Sequence, residues 1–290
     1  KQPFSNYPEI MLVEGKLSSQ SSNVQTNHFK HEVINNKLTK NYIGNNSTIN
    51  KRGQESLKDR GGGGVVISEL EPGELGNAIE HLLGYYYIQE VSSMMPPLAL
   101  QSKPGDFVLD LTASPGSKTT QMAAIIENIW TIIANDIKLD RIKILSANLE
   151  RCGVMNTIIT RNDGVGLCNR LTAHGFKFDK ILLDAPCSGE GTLRSSPKTF
   201  VMWNIKVVKK LGREQKKLLA FAFKCLKKDG TLVYSTCTHS PEENEAVVDF
   251  AIRNFPVEVE SIKLPLICRV GINEWDGDTY NKDVTKTCRI

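Results

Sequence analysis

Apolar and polar residues alternate regularly along most of this chain. From Val65 onward, short apolar runs are separated by amphipathic stretches about as long as helices. Six apolar runs predict strands: Phe107–Leu111, Trp130–Ala134, Thr157–Thr160, Ile181–Leu183, Thr231–Tyr234 and Val257–Glu260. Four amphipathic stretches predict helices: Lys118–Glu127, Leu139–Gly153, Arg213–Lys228 and Pro241–Asn254. Because strands that alternate with helices are typical of βαβ units, the pattern predicts an α/β fold with a mostly parallel, twisted sheet covered on both faces.

The last predicted helix carries a start signal. Ser240 suits the N-cap, Pro241 suits the first helical position, and Glu243 is spaced to close a capping box. This interpretation places Cys237 between the end of a strand and the N-terminus of a helix. The helix dipole would favour a thiolate at that place.

The first part of the chain has a different composition. Residues 1–64 are rich in Asn, Ser, Lys and Gln, have few sustained apolar periods, and end in the run Gly61–Gly64. Such a composition predicts a polar, poorly structured N-terminal segment joined by a flexible link. Residues 65–290 are predicted to form the folded domain.

Composition limits the class of protein. With 290 residues, 40% hydrophobic and 23% charged, the chain resembles an ordinary soluble globular protein. The sequence shows neither an apolar run of membrane length nor a secretory signal, so we expect no membrane contact. Seven scattered cysteines without C-x-x-C pairs argue against a disulfide framework or a zinc site. A reducing cytoplasm, a monomeric state and no bound metal are the expectations.

Basic residues gather on one predicted helix. The net charge is only +4, but helical spacing places several cations along one side: Lys206, Lys209, Lys210, Arg213, Lys216, Lys217 and Lys224. Two interpretations stay open at this point. The cations form either a solvated helix face or a stripe that contacts phosphates.

A compact turn follows the first predicted strand. Residues Asp110–Thr119 contain a glycine but neither G-x-G-x-x-G nor a P-loop, which disfavours NAD binding and NTP hydrolysis. Asp136 and Asp163 follow the next two strands, where acidic side chains can meet the hydroxyls and base edge of a nucleoside. Three acidic strand ends without a phosphate cradle favour S-adenosylmethionine as the ligand. Alternatively, Asp136 caps the following helix, and Asp163 with Gly164 forms an ordinary turn.

Two cysteines lie in loops that each follow a predicted buried strand. Cys187 follows Asp184-Ala185-Pro186, and Cys237 follows Tyr234-Ser235-Thr236. Loops at the carboxyl ends of parallel strands face one crevice, so both thiols are expected at one site. Such a pair suits methyl transfer to C5 of cytosine, because a thiolate that adds at C6 turns C5 into a nucleophile. A carboxyl group such as Asp184 near N3 would lower the cost of that addition.

Several sequence blocks resemble the Sun-domain family of RNA cytosine-5 methyltransferases. The similar blocks, in family order, are Gly84–Pro97, Leu111–Thr120, Leu183–Gly191, Tyr234–Thr238 and Pro241–Glu245. The similarity extends from about Leu83 to Pro256, more than half of the chain. It implies a Rossmann-like, S-adenosylmethionine-dependent methyltransferase domain.

The resemblance implies roles for individual residues. Cys237 matches the covalent nucleophile, Cys187 matches the cysteine that assists product release, Asp184 matches the carboxylate beside the base, and Lys118 lies near them. The implied cofactor-binding positions are Thr112, Ala113, Ser114, Pro115, Gly116, Ser117, Lys118, Asp136, Arg141, Asp163 and Asp184. We assign structural roles to the remaining cysteines, namely Cys152, Cys168, Cys225, Cys268 and Cys288.

The resemblance also implies an RNA partner, either tRNA or rRNA, and we favour tRNA because the blocks are most similar to archaeal-type members.

Two departures from the family pattern matter. Residues 1–64 match no RNA-binding part known to us, and the chain stops at Ile290 where the family continues into a last strand. A missing last strand would leave the strand at Val257 unpaired. The alternative function is therefore a catalytically impaired RNA-binding or scaffold protein that keeps the fold.

Overall fold

A computed structural model of the protein describes residues 74–193, 199, 201 and 203–290. The predictions for residues 1–64, and the proposed domain start at residue 65, lie outside the described residues. The described chain divides into two compact units, one ending at Ile88 and the other starting at Gln89. In the first unit, two short helices, α1 (Glu74–Asn77) and α2 (Ile79–Leu82), are followed by Tyr86, whose hydroxyl donates to Leu75 O over 2.7 Å.

The second unit is built on a parallel sheet. Its five strands are β1 (Val108–Asp110), β2 (Ile132–Asp136), β3 (Thr157–Arg161), β4 (Phe178–Asp184) and β5 (Leu226–Ser235). They lie in the order β3-β2-β1-β4-β5, and all neighbouring pairs are parallel. The α/β architecture predicted from the alternating pattern is confirmed.

Helices cover both faces of the sheet. They are α3 (Met95–Leu100), α4 (Ser117–Ile125), α5 (Leu139–Arg151), α6 (Gly164–Ala173), α7 (Ile205–Cys225) and α8 (Glu245–Asn254). The 3-10 segments are Ser92–Met94, Glu190–Thr192 and Lys282–Lys286, and the short C-terminal strands are β6 (Arg269–Val270), β7 (Glu274–Trp275), β8 (Asp278–Thr279) and β9 (Cys288–Arg289). In the described part of the chain, no helix has both the length and the apolar character that a membrane span requires.

Two apolar layers hold this unit together, one on each face of the sheet. Successive strand residues point to opposite faces, so Leu109 packs toward one layer and its neighbour Val108 toward the other. The first layer includes Leu219 of α7, and the second includes Met122 of α4. Burial on both faces explains why the strands appear in the sequence as continuous apolar runs.

The strand order determines where a ligand crevice forms. The chain moves outward from β1 to β3 on one side and then crosses to β4 and β5 on the other. In open parallel sheets, ligands bind outside the carboxyl ends of the strands at such a reversal. The crevice therefore lies between the loops that follow β1 and β4.

The sixth predicted strand is wrong. Residues 257–260 adopt no strand in the structure. Val259 is nevertheless buried, and Val257 packs against the first apolar layer. The alternating pattern therefore results from the burial of an irregular segment. The unpaired edge strand expected at Val257 does not form.

The predicted capping box is also wrong. Helix α8 begins at Glu245 with Asn244 as its N-cap, and the residues from Pro241 to Asn244 form a turn. The Glu243 carboxylate instead accepts hydrogen bonds from Ser188 N and Gln215 Nε2. Since Glu243 is fully buried, those tertiary partners replace the local capping contact.

Candidate active site

The two cysteine-bearing loops meet beyond neighbouring strands. Asp184, the last residue of β4, pairs with Ser235, the last residue of β5, and both loops start from this level. Cys187 Sγ lies 3.1 Å from Cys237 Sγ, and the backbone N–H of Cys237 donates to Cys187 Sγ over 3.3 Å. Both cysteines are partly exposed free thiols. The arrangement presents two sulfur atoms side by side at the crevice.

An ion pair lies at the same end of the sheet. Lys118 Nζ lies 2.7 Å from Asp184 Oδ2 and donates to Ser93 Oγ over 3.2 Å. The other carboxylate oxygen, Asp184 Oδ1, accepts from Ser235 Oγ over 2.6 Å. Thr112 fixes the backbone of the same aspartate, because its hydroxyl donates to Asp184 O over 2.8 Å. The Asp184 carboxylate is therefore held in one orientation from α4, β5 and the β1 loop.

The two thiols differ in acidity. A hydrogen bond donated by Cys187 lowers the pKa of Cys237, against the opposing effect of burial, and the Lys118 ammonium lowers it further. The pKa of Cys187 is raised well above its ordinary value by that same bond, by burial and by the charge of Cys237. Cys237 therefore ionises first, and Cys187 stays a thiol beside it.

Lys118 keeps its charge despite its burial. Desolvation lowers the pKa of Lys118, but the Asp184 carboxylate outweighs this effect through its charge and hydrogen bond, so the net shift is upward. Asp110 and Cys237 contribute in the same direction. The site thus holds a permanent cation next to the thiolate-forming cysteine.

Asp110 is one of the three acidic strand ends from which the sequence predicted a nucleoside pocket, but it was not assigned an individual role. It ends β1, is almost fully buried, and accepts a hydrogen bond from Thr119 Oγ1 over 2.6 Å through Oδ2, whereas Oδ1 has no hydrogen-bond partner among the described residues. Burial is the main reason that the pKa of Asp110 is raised to about 7. An aspartate that closes an apolar strand at a reversal of strand order is a signal that sequence reasoning could have used. Ser93 and Ser235, the partners of the ion pair, were missed as well.

The loop between β1 and α4 is held against α5. Ser114 Oγ donates to Arg141 O over 2.9 Å, and the Arg141 side chain donates back to Ser114 O over 2.5 Å. Asn148 Nδ2 donates to Pro115 O over 2.9 Å. Gly116 has φ +107° and lies so close to α5 that a Cβ would stand 3.0 Å from Leu145 Cδ1. A side chain at this position would be strained, so glycine lets the loop approach the helix.

The remaining predicted cofactor positions lie on two other strand ends. Asp136 ends β2 with 3% of its surface exposed, accepts from Lys138 N over 3.2 Å, and pairs with Arg141 over 3.4 Å. Asp163 is exposed and caps α6, since its carboxylate accepts from Gly166 N over 2.9 Å. Asp163 thus has the local role that the sequence left open, and its contact with a cofactor stays a prediction.

Comparisons with known proteins identify the family. The sequence model described as 16S rRNA methyltransferase RsmB/F matches residues 97–278. A tRNA (cytosine(49)-C(5))-methyltransferase from Pyrococcus abyssi is 47% identical over 215 residues, which are 74% of this chain and 68% of that protein. The chain belongs to the RsmB/F methyltransferase family. The family resemblance seen in the sequence blocks is confirmed.

Other RsmB/F-family relatives differ in how much of their length they share with this chain. Ribosomal RNA small subunit methyltransferase F from Vibrio cholerae is 49% identical over 175 residues, covering 60% of this chain but only 36% of the relative. A methyltransferase homolog from Pyrococcus horikoshii superposes with a TM-score of 0.65 at 36% identity, covering 74% of this chain and 66% of that one. NSun6 from the same organism, solved with SFG, superposes with a TM-score of 0.60 at 32% identity. The match covers 74% of this chain and 53% of NSun6. The predicted Rossmann-like methyltransferase fold is confirmed.

The RsmB/F family depends on S-adenosylmethionine, and the residues of this chain suit that cofactor. Its sulfonium and ammonium groups are positive, and its ribose hydroxyls are hydrogen-bond donors. Asp110, Asp136 and Asp184 place carboxyl groups at the ends of adjacent strands, and Asp110 Oδ1 has no hydrogen-bond partner in the part of the chain that the structure describes. Such a set would hold the cofactor without a metal ion. In residues 74–193 and 203–290, no three histidine, cysteine or acidic side chains form a metal-binding group.

Proposed function

We propose that this RsmB/F-family chain transfers a methyl group from S-adenosylmethionine to C5 of cytosine in RNA through a covalent bond between Cys237 and C6. The observation that carries the proposal is the 3.1 Å separation of Cys237 Sγ and Cys187 Sγ beside the Lys118–Asp184 ion pair. A nucleophile, a thiol that can donate to it and a fixed carboxylate are the groups that this reaction requires.

The first step is addition of the Cys237 thiolate to C6. The thiolate gives an electron pair to C6, the C5–C6 double bond becomes electron-rich at C5, and N3 takes up a proton that Asp184 passes on from water and takes back on release. Asp184 is held by Lys118 and Ser235 so that its carboxyl group can meet the N3 edge. When bound, S-adenosylmethionine would supply an electrophilic methyl group, so that the C5–methyl bond forms as the methyl–sulfonium bond breaks and S-adenosylhomocysteine leaves.

The second step is release. The C5 proton leaves to a base, the C5–C6 double bond forms again, and the C6–S bond breaks with its electron pair returning to Cys237. The Cys187 thiol assists this step by donating its S–H to the departing sulfur, and the 3.1 Å between the two sulfur atoms in the structure supports this role. A hydrogen bond to a developing thiolate stabilises it, as any donor aimed at developing charge does.

The RNA partner is proposed from the relatives and from the surface. The tRNA methyltransferase from Pyrococcus abyssi aligns with 74% of this chain and the rRNA methyltransferase from Vibrio cholerae with 60%, at similar identity, and the longer match supports tRNA as the preferred substrate. On α7, Lys206, Lys210 and Arg213 are exposed and suit RNA phosphates. We place the protein in the cytoplasm, where free thiols stay reduced.

The adduct itself provides the test. RNA with 5-fluorocytosine cannot lose the C5 substituent, so the native protein should form a stable protein–RNA adduct on it in a denaturing gel. Cys237→Ala should abolish the adduct. Cys187→Ala should instead accumulate an adduct with ordinary cytosine RNA, because addition proceeds and release fails. Cys152→Ala, a matched control, should behave like the native protein.

Two outcomes would contradict the proposal. An adduct that persists in Cys237→Ala and vanishes in Cys187→Ala would reverse the two roles. A native protein that binds RNA but yields neither adduct nor 5-methylcytosine would favour the RNA-binding or scaffold alternative. Bisulfite sequencing of total RNA, after expression in a host lacking the modification, would decide between tRNA and rRNA.

A further inference from the structure

Both peptide groups that flank Cys187 are fixed by buried side chains. Before the cysteine, Pro186 O accepts a hydrogen bond from Gln215 Nε2 over 2.9 Å. After it, Ser188 N donates to Glu243 Oε2 over 3.1 Å. Gln215 and Glu243 are both fully buried and are joined to each other by a 2.7 Å hydrogen bond. The hydrogen-bonded pair of Gln215 and Glu243 therefore fixes the position of the Cys187 Cα atom.

Glu243 belongs to the segment that follows the other cysteine. Its backbone N–H donates to Ser240 O over 3.1 Å, and its carbonyl accepts from Tyr234 OH over 2.6 Å. Tyr234 lies in β5, three residues before Cys237. The Glu243 backbone is thus fixed to the Cys237 side of the crevice, while its side chain holds the Cys187 loop.

The contacts favour an ionised Glu243. Every side-chain contact of this carboxylate comes from a hydrogen-bond donor, namely Ser188 N or Gln215 Nε2. Burial outweighs these donors and raises the pKa of Glu243 above its ordinary value. Its charge is also one of the causes that raise the pKa of Cys187, after the Cys237 bond and burial. Glu243 therefore favours the thiol form of Cys187 as well as fixing its place.

We propose that Glu243, with Gln215, is a positioning residue that holds the Cys187 thiol in hydrogen-bonding reach of Cys237. The inference rests on the proposed function for its catalytic consequence, because it assigns Glu243 to the release step. Glu243 acts through Cys187 and does not touch the substrate.

Glu243→Gln is the first variant to test. The amide keeps the shape but removes the charge and places an NH₂ donor at Oε1, 3.3 Å from Ser188 N, so this contact becomes one of donor against donor. Loss of such a contact should lower turnover about tenfold or more, by the range for buried hydrogen bonds to charged groups. The 5-fluorocytosine adduct should form as in the native protein, and adduct with ordinary cytosine RNA should accumulate. Gln215→Met should have a smaller effect in the same direction, because the Ser188 contact remains.

Non-additivity separates positioning from general destabilisation. If Glu243 acts through Cys187, adding Glu243→Gln to Cys187→Ala should change turnover by no more than about twofold, the ordinary error of additivity. A merely structural role would lower turnover in both backgrounds alike. Glu242→Gln is the matched control, since Glu242 is the neighbouring residue and its carboxylate contacts Trp275 instead. Thermal melts would show which variants are folded.

A measurement without RNA keeps the inference separate from the proposed function. Alkylation of Cys237 by iodoacetamide, followed by mass spectrometry across pH, reports its ionisation. Glu243→Gln should raise the pH midpoint for Cys237, because the displaced Cys187 no longer donates to it, and Glu242→Gln should not. An unchanged midpoint in folded Glu243→Gln and Gln215→Met would overturn the inference. Failure of the native protein to form the fluorocytosine adduct would instead overturn the proposed function.

Discussion

Lys118 Nζ lies 2.7 Å from Asp184 Oδ2, so the first turn of α4 is tied to the carboxyl end of β4. The ion pair is partly shielded, with 15% of the Lys118 side chain and 33% of the Asp184 side chain exposed. The same ammonium lowers the pKa of Cys237. One cation thus orients the carboxylate and favours the thiolate.

Lys118→Met should make Cys237 less acidic. Removing the ammonium removes one cause of the lowered Cys237 pKa, so the pKa rises and less thiolate exists at neutral pH. The pH midpoint for alkylation of Cys237 should therefore move upward, and adduct formation with 5-fluorocytosine RNA should slow most at low pH. Lys143→Met, an exposed lysine on α5, is the control. A midpoint that stays in place would mean that Lys118 does not act on the thiol.

Asp110 should make stability depend on pH. Its pKa is about 7 in the folded protein against 3.8 for the free side chain, so between these values the folded state binds more protons than the unfolded state. The contribution of Asp110 to stability should be unaffected by pH below about pH 4 and become less favourable as pH rises to 7, by roughly 4 kcal/mol. Urea unfolding at pH 5 and 8 should show a smaller loss in Asp110→Asn. Asp140→Asn, which removes an exposed carboxyl on α5, should lose as much stability between pH 5 and pH 8 as the native protein does.

The sequence predicted the sheet because its strands are buried on both faces. Ile181–Leu183 and Thr231–Tyr234 form apolar runs that no surface element would carry, and both fall inside observed strands. Because these two strands were predicted correctly, the loops of Cys187 and Cys237, which follow their carboxyl ends, were located correctly as well. Helix α6 was not predicted, because its sequence, GVGLCNRLTA, holds two glycines, an asparagine and a threonine, which disfavour helices. Capping by Asp163 and packing against α7 stabilise it instead.

The role of Glu243 could not be predicted from local spacing. Its partners Ser188 and Gln215 lie 55 and 28 residues away in the chain, so only the folded topology brings them together. The local pattern offered a capping box, which is worth about 1 kcal/mol. Burial of the carboxylate against two donors, Ser188 N and Gln215 Nε2, outweighs that preference. The same reasoning explains Val257–Glu260, where tertiary burial produced a strand-like pattern without a strand.

Glu245 and Arg289 form a buried ion pair that should matter for stability. Their side chains are 0% and 6% exposed, and Arg289 Nε lies 2.5 Å from Glu245 Oε1. Arg289→Met leaves the Glu245 carboxylate buried without its cation, which should cost about 3–5 kcal/mol in urea unfolding. The double variant Glu245→Gln with Arg289→Met should lose less than the sum of the single losses. Arg253→Met breaks a more exposed pair with Asp249 and should cost less than about 1 kcal/mol.

The basic face of α7 should contribute to RNA affinity through phosphates. Four exposed cations lie at i, i+4, i+7 and i+11 on this helix, namely Lys206, Lys210, Arg213 and Lys217. Changing all four to Gln should weaken RNA binding and reduce the slope of log affinity against log salt by about 3, at 0.7–0.9 per phosphate contact. With saturating RNA, the adduct at Cys237 should form at the native rate, because the cations act on binding alone.

A matched charge change would show whether the position of these cations matters. Four exposed lysines lie off α7 and near the amino ends of the strands, opposite the crevice, namely Lys103, Lys177, Lys227 and Lys228. Changing them to Gln alters the net charge by the same amount, so a general effect of charge would weaken RNA binding equally in both variants. An unchanged salt slope in the α7 variant would show that this face is only solvated. If the salt slope is lower in the α7 variant and native in the control variant, the α7 cations contact RNA phosphates.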